Sequence, residues 1–199
     1  MLEQQGYKFL HLVLTVPNCE EKDLKNTVSN LYNSFSKFWK YKEIQRAFKG
    51  CLRCFELTYN YENFNFHPHL HCLIAVKKSY FNDSKIYLSY EKLRELWTRA
   101  NNSDDPLQIS IGAIKNQLGF AEVSKYCVKP LELDPTKTAE NITLLTALLV
   151  TLKGTRFIQT YGIIKEYLKI IKGEKQEEFD NEQMFDYHWN YATQKYEIF

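Results

Sequence analysis

Short apolar runs alternate with longer amphipathic stretches along the chain, and polar residues, glycine or proline separate them. Apolar runs predict strands, whereas apolar residues recurring at steps of three and four predict helices. The predicted strands cover 7–17, 51–60, 69–77, 108–114 and 157–160. The predicted helices cover 21–48, 90–99, 116–129, 141–152 and 163–171, with a terminal hairpin or edge strand in 187–199. This order indicates an α+β fold in which helices pack on one face of an antiparallel sheet.

The composition is that of an ordinary globular domain. The chain has 199 residues, of which 44% are hydrophobic and 25% are charged, so we expect a single domain over 1–199. The sequence has no apolar run of membrane-spanning length and no signal peptide at its start. We therefore expect a cytoplasmic protein that does not contact a membrane.

The charge is unevenly distributed. The net charge is only +2, but residues 174–199 carry seven acidic and two basic residues, which leaves +7 on the rest of the chain. A basic body suits phosphate binding, whereas a solvated acidic connection explains the same numbers equally well. We expect the acidic, aromatic segment 174–199 to pack on the domain or to flank it.

Five cysteines give no disulfide framework. Cys51 and Cys54 lie three apart in a predicted strand and so face opposite sides. We expect all five to be reduced and mostly buried.

Histidines at alternate positions precede a predicted buried strand. His69 and His71 lie two apart, so on a strand both imidazoles point to one face, about 7 Å apart at the backbone. Neutral imidazoles are common ligands of divalent metals. Two histidines at a strand end are also ordinary surface residues, so the pattern alone leaves both interpretations open.

A second group of reactive side chains lies on the predicted helix 116–129. Glu122 and Tyr126 are one turn apart on one face, and Lys129 follows close to the same face. A phenol beside an ammonium and a carboxylate can form a nucleophile site. A solvated helix face with ion pairs is the plainer alternative.

Taken in order, these motifs resemble the HUH endonuclease superfamily and, within it, the rolling-circle replication initiator (Rep) proteins of small bacterial plasmids. The resemblance spans roughly residues 9 to 170 and is to the branch with a Glu one turn before a single Tyr. The matching segments are 9–18, 50–60, 67–76, 122–129 and 153–165. It implies a ferredoxin-like central antiparallel sheet with the histidine strand in its middle.

The resemblance also implies a reaction. Tyr126 attacks a scissile phosphate of single-stranded DNA, forms a 5′-phosphotyrosine and releases a 3′-OH. Lys129 favours the phenolate and grips phosphate, and Glu122 activates water for a later cut. The implied cofactor is Mg²⁺ or Mn²⁺, and the implied partners are single-stranded DNA, origin hairpin DNA, a host helicase and a DNA polymerase.

A divalent ion needs more than two protein ligands. Glu56 is the best third candidate beside His69 and His71, because a neighbouring strand could bring it next to them, and His67 competes for the role. Candidate contacts to the DNA backbone are Arg53, Lys125, Lys153, Arg156 and Lys165. Each of these five could equally be a simple surface charge.

Three other functions compete with plasmid initiation. The first is a single-Tyr HUH transposase or relaxase, and the second is a non-catalytic nucleic-acid binding domain with a structural metal. The third is a metal-dependent hydrolase of small molecules. Relatives often extend before the first motif, so the chain could be a trimmed domain or a compact natural form.

Overall fold

Strands and helices alternate through the structure, a computed structural model that describes residues 2–115, 120, 123, 125, 133–179, 187–190 and 195–198. The strands are β1 (Tyr7–Thr15), β2 (Phe48–Asn60), β3 (Asn65–Lys77), β4 (Ile109–Ile114), β5 (Ile158–Tyr161), β6 (Tyr187–Asn190) and β7 (Lys195–Ile198). The α-helices are α1 (Glu21–Lys40), α2 (Lys42–Ala47), α3 (Tyr90–Ala100), α4 (Thr138–Thr151) and α5 (Gly162–Phe179), and a 3-10 helix spans Lys78–Phe81. Within these ranges, no helix combines the length and the hydropathy needed to cross a membrane.

A five-stranded antiparallel sheet carries the fold, in the order β4–β1–β3–β2–β5. The first four strands and the helices between them follow a β-α-β-β-α-β succession, which is the ferredoxin-like arrangement. β5 extends the sheet beside β2, and β6 and β7 form a separate antiparallel pair. The prediction of an α+β fold with the histidine strand β3 in the middle is confirmed.

One face of the sheet, which we call the core face, packs against helices. Alternate residues of β1 point to it, namely Leu10, Leu12 and Leu14, and all three are buried. They join one apolar cluster with Leu31 of α1 and Trp97 of α3. Each such buried aliphatic side chain stabilises the fold by roughly 1.5–3 kcal/mol, so this layer fixes the sheet in place.

The opposite face, which we call the histidine face, carries His11, His69 and His71. A smaller apolar cluster forms beside them around Phe9, Ala75 and Ile164. The helices therefore pack mainly on the core face, as predicted, while the start of α5 covers part of the histidine face.

Several element boundaries differ from the sequence prediction, and the last described helix, α5, ends at Phe179, eight residues later than predicted. The helix predicted over 21–48 is two helices, because the backbone of Tyr41 is extended. Strand β3 begins at Asn65, four residues before the predicted start, and includes Pro68. The pairing of β1 with β3 ends at His69, so Pro68 lies just beyond it. Proline is tolerated there because its missing N–H is not needed for pairing with β1.

The cysteines also depart from expectation. Cys19, Cys51 and Cys72 are free thiols, as predicted. Cys54 is disulfide-bonded, and its partner lies outside the described residues. The prediction that all five are reduced is therefore wrong, although Cys51 and Cys54 do not pair with each other, as their opposite faces require.

Candidate metal centre

Strand register brings three polar side chains together on the histidine face. Glu56 of β2 is the direct partner of His69 on β3, and Cys54 is the partner of His71. Side chains alternate along a strand, so Glu56, His69 and His71 share one face. They are only 7%, 8% and 5% exposed, respectively. Local β geometry together with one strand pairing therefore builds the group.

The ligand atoms of these side chains converge on one point. Glu56 Oε2 lies 2.7 Å from His71 Nε2 and also contacts His69 Nε2. One ligand atom from each of the three side chains lies within 4.8 Å of the other two. Among the described residues, this cluster is the one group of His, Cys, Asp or Glu side chains whose ligand atoms lie close enough together to hold a metal ion.

Hydrogen bonds on the far side of each ring orient the two imidazoles. His69 Nδ1 lies 3.1 Å from the carbonyl oxygen of His67, which can only accept, so Nδ1–H donates to it. The lone pair of a neutral His69 is then on Nε2 and points at the Glu56 carboxylate. His71 Nδ1 is 3.0 Å from His11 Nε2. Fixing Nδ1 in this way is how proteins direct Nε2 towards a metal.

The donor set fits a divalent cation. In neutral His69, a nitrogen lone pair faces carboxylate oxygen lone pairs, and a cation between them satisfies both. Two imidazoles and one carboxylate are ligands that Mn²⁺ and other first-row divalent ions accept. Three protein ligands leave coordination positions open, as in catalytic rather than closed structural sites.

His67, the competing third ligand, lies beside the cluster rather than in it. Its ring centroid is 5.0 Å from that of His69, and its side chain is half-buried. Burial lowers the pKa of His67, and neighbouring His69 lowers it further. The group of three ligands contains Glu56 and not His67.

His11 is a member of the site to which sequence reasoning assigned no role. Its ring stacks on that of His71 with centroids 5.3 Å apart. In β1 it lies directly opposite Gly112 of β4, where an added Cβ would meet no atom of the described residues within 4 Å. A polar residue at an alternate position of an otherwise apolar strand is the signal that could have identified it.

The five predicted DNA contacts separate into two groups. Arg53, Lys153 and Arg156 line one cavity of about 430 Å³. Lys165, on α5, is exposed and does not line that cavity, and Lys125 is exposed and helical. The structure thus brings three of the five together, and it does so away from the histidine cluster.

The predicted catalytic residues Tyr126, Glu122 and Lys129 lie outside the described residues. Three neighbours on the same predicted helix, Phe120, Val123 and Lys125, are helical. Phe120 packs edge-on against Phe9, with ring centroids 5.0 Å apart. Through Phe120, this segment therefore contacts the histidine face.

Comparison with known proteins gives a consistent family. Residues 1–198 match the family described as Replication protein. The chain is 35% identical to "Protein rep" of Staphylococcus aureus over 129 residues, which cover 64% of this chain and 56% of that protein. It is 33% identical to "Protein rep" of Streptococcus pneumoniae over 174 residues, covering 84% and 53%. It is 31% identical to "Protein rep" of Lactiplantibacillus plantarum over 183 residues, covering 87% and 58%.

The chain spans a little over half the length of these relatives. No solved structure matches it. Because the family match covers nearly the whole chain and includes the strands that carry Glu56, His69 and His71, this protein belongs to the replication protein family.

Proposed function

We propose that this chain is the DNA nicking-and-joining domain of a rolling-circle plasmid replication initiator of the HUH type. The observation that carries the proposal is the convergence of His69, His71 and Glu56 in a chain of the replication protein family. Burying three polar side chains costs free energy that apolar residues at these positions would not cost. Such a cost is typical of a functional site.

The proposed reaction is strand transfer at one phosphodiester of single-stranded DNA. The phenolic oxygen of Tyr126 attacks the phosphorus atom, and the bond from phosphorus to the 3′ oxygen breaks. The products are a 5′-phosphotyrosine and a 3′ oxygen, which takes up a proton to replace the one that the phenol lost. A host polymerase extends the 3′-OH, and attack by a later 3′-OH on the phosphotyrosine rejoins the strand.

His69, His71 and Glu56 are the residues that would hold Mg²⁺ or Mn²⁺. When bound, such an ion would supply Lewis-acid polarisation of the scissile phosphate. Glu56 contributes the negative charge of the site, and the bonds to the carbonyl of His67 and to His11 hold both imidazoles in the orientation for binding. These hydrogen bonds therefore preorganise the side chains that would hold the ion.

Lys129 and Glu122 are assigned complementary roles around the phenol. The ammonium of Lys129 favours the phenolate of Tyr126 and binds phosphate oxygens. Glu122, one turn before Tyr126, accepts a proton from the water that hydrolyses the phosphotyrosine after replication. What supports these assignments is the helical spacing and the contact of Phe120 with the histidine face.

The proposed substrates are single-stranded DNA and origin hairpin DNA, and the proposed partners are a host helicase and a DNA polymerase. Arg53, Lys125, Lys153, Arg156 and Lys165 are the proposed contacts to the DNA backbone. The +7 charge of the chain outside 174–199 supports binding to a polyanion.

A cleavage assay on labelled single-stranded oligonucleotides tiling the plasmid origin tests the proposal. We expect a covalent 5′-linked adduct with Mn²⁺ that EDTA abolishes and that Tyr126→Phe does not form. Tyr87→Phe, which changes an exposed tyrosine, is the matched control and should form the adduct. Metal binding without any adduct would overturn the nuclease in favour of a non-catalytic nucleic-acid binding domain.

A further inference from the structure

A cavity of about 430 Å³ opens on the core-face side of the sheet, next to β2 and β5. Arg53 of β2 lines it and lies against Tyr32 and Phe35 of α1. Glu56 is three residues further along the same strand and therefore faces the other side of the sheet. This Arg53 cavity is thus separated from the candidate metal centre by the sheet itself.

Arg53 is a buried cation, only 2% exposed. Its guanidinium stacks over the Tyr32 ring at 4.1 Å from the centroid, and its Nη2 donates a 3.3 Å hydrogen bond to the Arg156 carbonyl oxygen. Its buried Nε has no hydrogen-bond partner among the described residues. Among the residues that the structure describes, no carboxylate forms an ion pair with the Arg53 guanidinium. A buried, unneutralised cation favours an anion nearby.

Apart from Val28 and Gly154, the rest of the described cavity wall is basic or polar. Lys25 of α1 and Lys153 and Arg156 of the loop between α4 and β5 are exposed cations on this wall. Among the described lining residues there is no Asp or Glu, and the hydroxyl and amide side chains are Ser29, Tyr32, Asn33, Ser36, Thr151, Thr155 and Gln159. Hydroxyl, amide and cationic groups are what phosphate oxygens bind in proteins.

The loop that supplies two of these cations is held in place. The hydroxyl of Tyr32 donates to the Arg156 carbonyl oxygen at 3.1 Å, the same oxygen that Arg53 contacts. Gly154 has a φ of +77°, which lets the chain turn there without strain, and the Thr155 amide donates to the Leu152 carbonyl oxygen. Lys153 and Arg156 therefore project from a backbone that is already ordered.

We propose that the Arg53 cavity binds a backbone phosphate of DNA at a distance from the scissile phosphate, and so anchors a second segment of the same DNA. Four cations spread over a wall of this size suit a polyanion better than one small anion. Because the sheet separates the cavity from His69 and His71, the phosphate bound here is not the one that is cut. The inference rests on the proposed function only in taking DNA as the ligand.

Lysine footprinting tests the site directly. The whole protein, in EDTA, is acetylated with and without an origin hairpin oligonucleotide, and modification is read by mass spectrometry. We expect DNA to reduce acetylation of Lys25 and Lys153 at least about threefold, while exposed Lys78 and Lys85 outside the cavity lining are unchanged. Equal reduction at all four lysines, or at neither Lys25 nor Lys153, would overturn the proposal.

A second arm separates the possible sources of phosphate. Inorganic phosphate, a mononucleotide and the oligonucleotide are each titrated, and protection is compared on the scale of total phosphate concentration. The proposal expects at least tenfold higher concentrations of these to be needed for equal protection of Lys153. Equal protection by free phosphate would replace the DNA backbone by a small phosphate ligand.

Variants supply an independent measure that does not depend on the buried arginine. Lys153→Gln with Arg156→Gln is expected to weaken hairpin binding about tenfold and to reduce the slope of log affinity against log salt by about two. The charge-matched control, Lys78→Gln with Lys85→Gln, is expected to change affinity less than threefold. Equal losses of hairpin affinity in the two double variants would mean that binding depends on general positive charge and not on this cavity.

The same footprint, run beside the adduct assay on the wild-type protein, distinguishes this proposal from the nuclease. If no Tyr126 adduct forms on any oligonucleotide but Lys25 and Lys153 are still protected by DNA, the cavity stands and the nuclease does not. If the adduct forms and the lysines are not protected, the nuclease stands and the cavity proposal is wrong.

Discussion

His11 Nε2 lies 3.0 Å from His71 Nδ1, so the first strand of the sheet supports an imidazole that the third strand presents. The two residues are 60 positions apart, and only the antiparallel pairing of β1 with β3 brings them together. The pairing makes the orientation of the His71 ring a property of the sheet rather than of one strand. A test of this relationship needs a change that leaves the other ligands untouched.

Replacing His11 by Phe should therefore weaken metal binding without abolishing it. Phe fills the space of the ring but cannot bond His71, and losing such a bond typically lowers metal affinity 10–100-fold. The measurement is Mn²⁺ titration followed by electron paramagnetic resonance, with urea unfolding to show that the variant is folded. An unchanged Mn²⁺ affinity in folded His11→Phe would mean that the contact does not tune the site.

Glu56→Gln should reduce Mn²⁺ affinity further, by at least about 100-fold. The substitution keeps the size of the side chain but removes the negative charge that a divalent ion requires. The matched variant is His67→Phe, which should change affinity less than about threefold, because His69 is oriented by the backbone carbonyl of His67 and not by its ring. The reverse ranking of the two variants would make His67 the third ligand.

Strand periodicity made the face on which Glu56 lies predictable, but it could not predict the contact of His11 with His71. Alternation along a strand requires Glu56 to share a face with Cys54, and His69 with His71, from local geometry alone. The contact of His11 with His71 depends on the register of two distant strands, which one sequence does not reveal. The split between α1 and α2 at Tyr41 is similarly non-local, because no Gly or Pro precedes it and the Tyr41 ring packs under the Arg99 guanidinium.

Arg53 shows the limit of interpreting charge from sequence. An arginine in a strand flanked by turns is ordinarily an exposed charge, and the sequence favoured that interpretation as much as a DNA contact. In the structure it is buried because strand parity points it at the core face, where the Tyr32 and Phe35 rings cover its guanidinium.

Gly162→Ala should destabilise the fold by about 2 kcal/mol or more. Gly162 has a φ of +55°, and an added Cβ would lie 2.2 Å from the Lys49 carbonyl oxygen, so both the backbone conformation and the contact exclude a side chain. Urea unfolding measures the free energy change. Gly112→Ala is the control, because its Cβ would meet no atom of the described residues within 4 Å, and it should change the free energy of unfolding by less than about 0.5 kcal/mol. Equal effects at the two glycines would show that the contact between β2 and the start of α5 is dispensable.

Tyr32 should make the fold lose stability at alkaline pH. Burial raises the pKa of Tyr32 to about 12, although the Arg53 guanidinium acts in the opposite direction. The unfolded chain releases this proton near pH 10. Between pH 10 and 12 the folded state therefore binds more protons than the unfolded state, and its stability falls as pH rises. After allowing for solvent screening of a half-buried ring, the loss is on the order of 1–2 kcal/mol.

Tyr32→Phe isolates this contribution from those of the other tyrosines. At pH 8 the variant should be about 1 kcal/mol less stable than the wild type, because it lacks the hydrogen bond to the Arg156 carbonyl oxygen. Above pH 10 ionisation at this position destabilises only the wild type, because the variant has no phenol there. The difference in free energy of unfolding should therefore shrink and change sign by pH 12. Urea unfolding of both proteins at pH 8, 10 and 11.5 provides the comparison. A difference that stays constant with pH would mean that the pKa of Tyr32 is the same in the folded and unfolded chains. Tyr32 would then not need to remain neutral to hold the loop that carries Lys153 and Arg156.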